Sequence, residues 1–285
     1  MEIKASQVKE LREMSGVAMM ECKRALVDCE GDIEKALDLL RSNSALKAEK
    51  KATRVAAEGI LKTFSGNTHA SLIEINSETD FAAKDANFVT FTEEVGSYIS
   101  NNKVDNISEI QESEIEEKRK ALIQTIGENI QLRRLETLEF SSDMNSGVYL
   151  HSDSKLAAVV VLSGGDESLA KDIAMHVAAF NPLCLSQADI DPVVLEREKA
   201  IYMVQAEESG KPKEIMEKMI EGKLKRFLSE VSLLSQAFVK DSEVSIEKLL
   251  SDNNATIESY SRLKVGEGIE VETKNFADEV AEQLK

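Results

Sequence analysis

Over the first 54 residues the apolar positions recur at helical spacing, in three short runs. Val8 and Leu11 share one face of the first, which Ser6 is placed to cap and Met14-Ser15-Gly16 to break. Cys22, Ala25, Leu26 and Cys29 mark a second helix, beginning near Ala18 and stopped by Glu30-Gly31. Ile33, Ala36, Leu37 and Leu40 then follow at i, i+3, i+4 and i+7 behind Asp32, an N-cap residue. The basic, Ala-rich stretch 46–54 reads as a helical tether. From Gly59 the period becomes two. Residues 59–64 and 69–76 read as a hairpin around Ser65-Gly66-Asn67-Thr68. A helix beginning near Phe81 carries Phe88, Phe91, Val95 and Ile99 on one stripe. A Glu- and Lys-rich helix spans 108–129, and 131–140 alternates as a strand.

The same order then recurs. Residues 147–151 and 155–161 form a second hairpin pattern, followed by a helix through Leu169 and Ile173. Ala83-Lys84-Asp85 superposes on Ala170-Lys171-Asp172 with an offset of 87, and Gly59 on Gly147 with an offset of 88. A hairpin-then-helix unit used twice predicts an α+β class with a pseudo-repeated core. Residues 192–231 interrupt the second unit. Asp191-Pro192 starts one helix, Ser209-Gly210-Lys211-Pro212 breaks it, and Leu195, Ile201, Val204, Ile215, Met219, Leu224, Phe227 and Leu228 supply an antiparallel seam. Gln236-Ala237-Phe238-Val239 is placed to return to the sheet, Ser245 caps a short helix, and 255–265 alternates again. Phe276, Val280 and Leu284 mark a last amphipathic helix, docked on its own core or laid in a partner's groove. The predicted units are 1–54, 55–140, 141–191 with 232–263, the inserted 192–231, and 264–285.

Charge changes the functional picture. The chain has 285 residues, 35 of them basic and 52 acidic, for a net charge of -17. Residues 1–54 carry 11 basic and 10 acidic groups, so the acidity belongs to the rest. That balance argues against direct nucleic-acid binding, which rests on Lys and Arg neutralising phosphates. It suits a protein partner. The longest apolar run, 156–162, fits a buried strand and falls far short of the roughly 20 residues a membrane span needs. With only Cys22, Cys29 and Cys184 and no leader-like N-terminus, a cytoplasmic protein with reduced thiols is expected. Cys22 and Cys29, seven apart, are expected as small buried apolar residues.

Catalytic signatures are missing. No phosphate-binding Gly-rich loop ends in Lys-Ser/Thr, and Gly266-Glu267-Gly268 does not complete a dinucleotide fingerprint. His69, His151 and His176 are scattered, without metal-ligand spacing. Neither a cofactor, a resident metal nor a catalytic group is expected, and the chain reads as a non-enzyme. Two segments stand out instead. In Glu74-Ile75-Asn76-Ser77-Glu78-Thr79-Asp80-Phe81-Ala82-Ala83-Lys84 a strand ends in a polar turn, and Thr79 or Asp80 caps the next helix. Phe81, seven before Phe88, is either core or an aromatic wedge presented beside a carboxylate. In 11–26, Met19 and Met20 are either core or an adaptable contact surface.

Both segments resemble the sequence motifs of the bacterial elongation factor Ts family, the guanine nucleotide exchange factors for elongation factor Tu. The resemblance extends to Gly222-Lys223-Leu224-Lys225-Arg226-Phe227 with Glu230-Val231-Ser232-Leu233, and to Val265-Gly266-Glu267-Gly268-Ile269-Glu270, so it runs essentially end to end. Ala82 departs from it, standing where the family more often has Val; the charge and the ring remain. The resemblance implies an N-terminal ubiquitin-associated-like three-helix domain, a core of two α+β halves with an inserted coiled-coil hairpin, and a C-terminal helical module. It implies that Thr79, Asp80, Phe81, Ala82 and Ala83 dislocate Mg²⁺ from the partner. By the same resemblance Arg12, Met19, Met20 and the helix of Phe276 and Val280 touch the partner's nucleotide domain, and His151 touches another of its domains. The rival reading is a non-catalytic binding or scaffold module, with the helical hairpin closing a homodimer. An enzyme using Glu78 and Asp80 as paired carboxylates ranks third.

Overall fold

A computed structural model describes residues 3–270 of the chain. Three helices open it: α1 (Ala5–Ser15), α2 (Met19–Asp28) and α3 (Ile33–Lys51). Their facing stripes close a small core of Val8, Leu11, Val17, Cys22, Ala25, Leu26, Ala36 and Leu40. Ser6 is not the cap of α1: the helix starts one residue earlier, and Gln7 reaches back to accept the Lys4 N–H at 3.1 Å. Gly16 ends α1 at φ 67°, a left-handed conformation that suits glycine. The Asp32 side chain caps α3 by accepting the Lys35 N–H. Of the two cysteines expected to be buried, Cys22 is, whereas Cys29 caps the end of α2 and is only half covered. The stretch 46–54 is helical as expected as far as Lys51, where α3 ends, but it packs on the core rather than only spanning to it, with Ala48 in the cluster below.

The body holds two three-stranded antiparallel sheets. β1 (Glu58–Ser65), β2 (His69–Ser77) and β3 (Gln131–Glu139) form one, with β2 central. β4 (Asn145–Leu150), β5 (Leu156–Ser163) and β8 (Thr256–Lys264) form the other, with β5 central. The sheets face each other across Leu61, Ala70, Leu72, Ala157, Val159 and Leu263. The outer face of the first carries Ile73 and Ile75, covered by α5 (Ala86–Asn102) and α7 (Glu114–Ile126). The outer face of the second carries Ala158, Val160 and Leu162, covered by α8 (Glu167–Phe180) and α11 (Ile246–Asp252). Central strands buried on both faces explain the unbroken apolar run 156–162.

The repeat is visible in the ladders. The central strands shift register between Glu74 and Ile75 and between Val161 and Leu162, again an offset of 87. Gly59 and Gly147, however, are not equivalent. With the central strands aligned at that offset, Gly147, opposite Val160, falls on Lys62, while Gly59 pairs with Asn76. Their roles differ too: a Cβ on Gly147 would meet the α8 backbone, and one on Gly59 the Ile75 carbonyl.

Three further expectations change. The helix expected from Phe81 is two, a short α4 (Asp80–Ala83) and α5, because Asp85 caps α5 in extended conformation. The helix expected over 108–129 splits into α6 (Ile107–Gln111) and α7, because the Ser113 side chain caps the second. Residues 236–239 do not rejoin the main sheet; β6 (Ala237–Phe238) pairs with β7 (Asp241–Ser245) as a separate ribbon.

The inserted α9 (Pro192–Glu208) and α10 (Lys213–Val231) pack as an antiparallel pair. Asp191 caps α9 and Pro192 takes its first position, as the sequence suggested. Leu195, Met219, Leu224, Phe227 and Leu228 are half-buried, but Ile201, Val204 and Ile215 of the expected seam are exposed. At the foot of the pair Leu183 N–H donates to Val231 O (2.8 Å), Leu233 N–H to Cys184 O (2.9 Å) and Leu234 N–H to Leu185 O (3.0 Å).

One buried carboxylate ties the halves together. Glu74 is fully buried where the sheet bulges, so that Arg133 and Arg134 both reach it. Arg133 Nη1 donates to both oxygens at 3.0 Å, Arg134 Nε to Oε2 at 2.5 Å, and the Gly266 N–H, just beyond β8, to Oε1 at 2.8 Å.

Candidate functional site

The turn after β2 is built by hydrogen bonds rather than by packing. Thr79 caps α4: its Oγ1 accepts the Ala82 N–H at 3.2 Å. Between the two candidates, then, Thr79 is the cap and Asp80 the first helical residue. Glu128, in the loop before β3, accepts the Thr79 N–H at 2.9 Å and the Thr79 hydroxyl at 2.7 Å. Glu78 accepts the Asn129 N–H at 2.6 Å and pairs with Arg54, and Asn129 donates to Arg54 O at 2.8 Å. Lys51 donates to Gly127 O, so one loop, 127–129, holds both the end of α3 and the start of α4.

Ala82 and Ala83 face inward and are buried, which leaves Phe81 facing out, 81% exposed. Phe88, in α5, is fully buried. The break at Asp85 is what separates their directions. Of the two readings of Phe81, the core reading is therefore wrong. Beside the ring, Asp80 pairs with Lys84 at 2.6 Å. The Lys84 ammonium hydrogen-bonds the carboxylate and holds its pKa below the usual range, with a smaller contribution from Lys155. The pair raises Lys84 in turn. Glu78 and Asp80 are thus taken up by different cations and do not form a paired acid.

The influence of Lys155 on Asp80 brings in the turn between β4 and β5. There His151 is exposed, its Nδ1 2.9 Å from the Tyr149 hydroxyl. Leu61 N–H donates to Ser154 O at 2.7 Å, and Lys155 pairs with Glu58, so β1 anchors this turn beside α4. On the N-terminal unit, Met19 and Met20 are 51% and 61% exposed, Arg12 is exposed, and Met14 with them. The core reading of these methionines fails as well. Met14 and Gly16 border a depression whose other wall is Asn87, Thr90, Lys118 and Thr125, so the α1–α2 turn lies over the start of α5, just beyond α4. Phe276 and Val280 lie outside the described residues.

Among the described residues no group of three or more His, Cys, Asp or Glu is placed to hold a metal ion, and no helix is long and apolar enough to cross a membrane. What the arrangement offers is an outward aromatic ring and a carboxylate on a rigid turn.

The model of one protein family, described as Elongation factor TS, matches residues 78–267, beginning at the turn just described. Over 285 residues, 99% of each chain, the protein is 50% identical to elongation factor Ts of Hahella chejuensis (strain KCTC 2396). It is 48% identical over 289 residues, again 99% of each chain, to elongation factor Ts of Francisella tularensis subsp. novicida (strain U112). The chain belongs to the elongation factor Ts family. Its place is therefore in the elongation stage of protein synthesis, as the motifs at 11–26 and 74–84 implied. The mixed α+β architecture agrees with that family. Sequence reasoning missed Glu128, Asn129 and Arg54, which build the turn. The only trace of them in the sequence is the Gly127 helix stop followed by polar residues.

Proposed function

We propose that this chain is a guanine nucleotide exchange factor for elongation factor Tu and performs no covalent chemistry of its own. GDP in a GTPase is held by Mg²⁺ and by backbone amides that cradle its phosphates. A factor that speeds release must bind the nucleotide-free form more tightly than the GDP-bound form, or it shifts nothing. Phe81 enters the partner as a wedge beside its Mg²⁺ site, and Asp80, exchanging Lys84 for groups of the partner, competes for the polar contacts that hold the ion's water shell. Thr79, Ala82 and Ala83 carry these two side chains. Arg12, Met19 and Met20 grip the nucleotide domain, joined by Phe276 and Val280, while His151 touches another domain. The units 1–54, 55–140, 141–191 with 232–263, 192–231 and 264–285 divide this labour. Linkage requires that GDP weaken binding of the factor by the same ratio as the factor weakens binding of GDP.

The observation that carries this reading is the exposure of Phe81 on a turn held by hydrogen bonds. Burying one aromatic side chain contributes about 2 kcal/mol, roughly thirtyfold in rate if all of it acts on release. The test is release of a fluorescent GDP analogue from elongation factor Tu, with wild type and Phe81→Ala. Because Phe81 is exposed, the variant should fold normally. Fast release that drops about thirtyfold in the variant is expected. Complex formation by wild type without faster release would refute exchange and leave the scaffold reading.

A further inference from the structure

A single helical turn does not hold itself, because forming it fixes several dihedrals for one hydrogen bond. α4 is only four residues long, yet a wedge works only if it is presented at a fixed angle. The inner face of α4 is buried through Ala82 and Ala83 and its C-terminal end runs into the Asp85 cap of α5, while its N-terminal end is set by Thr79. Glu128, 49 residues further along the chain, grips that residue at two points, the backbone N–H at 2.9 Å and the hydroxyl at 2.7 Å. With its proton directed at Glu128, Thr79 Oγ1 keeps a lone pair for the Ala82 N–H at 3.2 Å. The carboxylate therefore selects the hydroxyl orientation in which Thr79 caps the helix. On either side of the grip, Gly127 O is held by Lys51 and the Asn129 N–H by Glu78, so the loop that carries Glu128 is itself fixed.

We propose that Glu128 is a positioning residue for nucleotide exchange: by fixing Thr79 it sets the direction in which α4 presents Asp80 and Phe81 to the partner. This rests on the exchange reading above. Glu128 touches neither nucleotide nor Mg²⁺; it acts through Thr79.

The experiment measures GDP release from elongation factor Tu at saturating factor, together with amide hydrogen exchange of the free factor. The variants are Glu128→Ala, Glu128→Gln, Thr79→Val, the Thr79→Val/Glu128→Ala double variant and Phe81→Ala. Gln keeps the contact to the Thr79 N–H through its oxygen and reverses the second, its amide donating to a Thr79 hydroxyl that still has a lone pair for the Ala82 N–H, whereas Ala keeps neither contact. Loss of a hydrogen-bonded charged anchor predicts a saturating rate about tenfold lower in Glu128→Ala. Glu128→Gln should return it to within about twofold of wild type. Amides of Ala82 and Ala83 should exchange faster in the Ala variant and not in the Gln variant. Glu128→Ala should cost less in the Thr79→Val background than in wild type, since the hydroxyl contact is already gone and only the grip on the residue-79 backbone N–H remains to be lost. An unchanged rate in Glu128→Ala beside a slow Phe81→Ala would overturn the positioning role and leave the exchange reading standing. Equal losses in the Ala and Gln variants, or additive losses in the double variant, would overturn it too. A Phe81→Ala factor as fast as wild type would overturn the wedge itself, and the positioning role with it.

Discussion

Replacing Glu74 by Ala should destabilise the protein by about 3 kcal/mol. The substitution removes a fully buried carboxylate that accepts four hydrogen bonds, two from Arg133, one from Arg134 and one from the Gly266 N–H. Breaking a buried ion pair by deleting one partner costs about 3–5 kcal/mol when the remaining charge stays buried. Here the guanidinium groups can partly rehydrate, since the Arg133 and Arg134 side chains are 21% and 27% exposed. The electrostatic loss is therefore discounted to about 1–2 kcal/mol, and the Gly266 N–H left without an acceptor adds about 1–2 more. For a core of this size each kcal/mol shifts Tm by roughly 2–4 °C, so the midpoint should fall about 6–12 °C. Glu74→Gln, which keeps the shape and one oxygen, should lose less. Urea and thermal unfolding followed by circular dichroism give both numbers. The loss should persist at about 1 M salt, because a buried pair is screened far less than an exposed one. A Glu74→Ala protein within about 0.5 kcal/mol of wild type, or a deficit that vanishes in salt, would refute the claim that this carboxylate holds the two halves together.

Buried His176 accepts the Val239 N–H at Nδ1 (3.2 Å) and faces Gln236 Oε1 with Nε2 (2.9 Å), which fits the neutral Nε2–H form. Burial lowers its pKa, partly opposed by Gln236. The unfolded chain therefore takes up the proton first: His176's contribution is complete above about pH 6.5 and is lost as pH falls through the lower folded value, which urea midpoints from pH 7.5 to 5 will show and a His176→Gln variant will flatten. Gly147→Ala should cost about 1–3 kcal/mol, because its Cβ would lie 2.0 Å from the Lys171 backbone nitrogen; Gly222→Ala, within α10 and with nothing within 4 Å, should instead gain up to about 1 kcal/mol, both read from denaturant midpoints. Lys84→Ala should raise the Asp80 pKa toward the ordinary carboxylate value, visible in an NMR titration of the Asp80 side chain, while an unmoved value would mean that Lys84 does not govern it.

Legibility in the sequence followed the range of the interactions. The helices of residues 1–54 were readable because Gly16 and Asp32 act locally, through their own backbone and a cap three residues away. The strands were readable because β1 to β3 alternate along the chain, while β5, covered on both faces, is a continuous apolar run. Phe81 was ambiguous for a definite reason: its seven-residue spacing from Phe88 has meaning only on one unbroken helix, and Asp85 breaks it in a way that an Asp inside a helix does not announce. Ser113 hid a helix start in the same manner. Glu128 was invisible, one more acidic residue after a Glu-rich segment, because its partner Thr79 is 49 residues away and nothing local marks the meeting.

The laddered foot of the α9–α10 insertion has a kinetic consequence. The connection from β5 to β8 is far longer than that from β2 to β3, although the two sheets are otherwise alike. Loop closure costs entropy that grows with the logarithm of the length, about 0.6 kcal/mol per doubling. Once the backbone bonds between 183–185 and 231–234 have formed, the insertion is a closed side branch and no longer counts toward that length. The search that joins β8 to β5 then spans about half as many residues, nearly the distance that β3 covers to reach β2. A helical pair that folds early and locally would thus spare the second half the slow closure its sequence length implies, and the two halves could assemble on similar timescales.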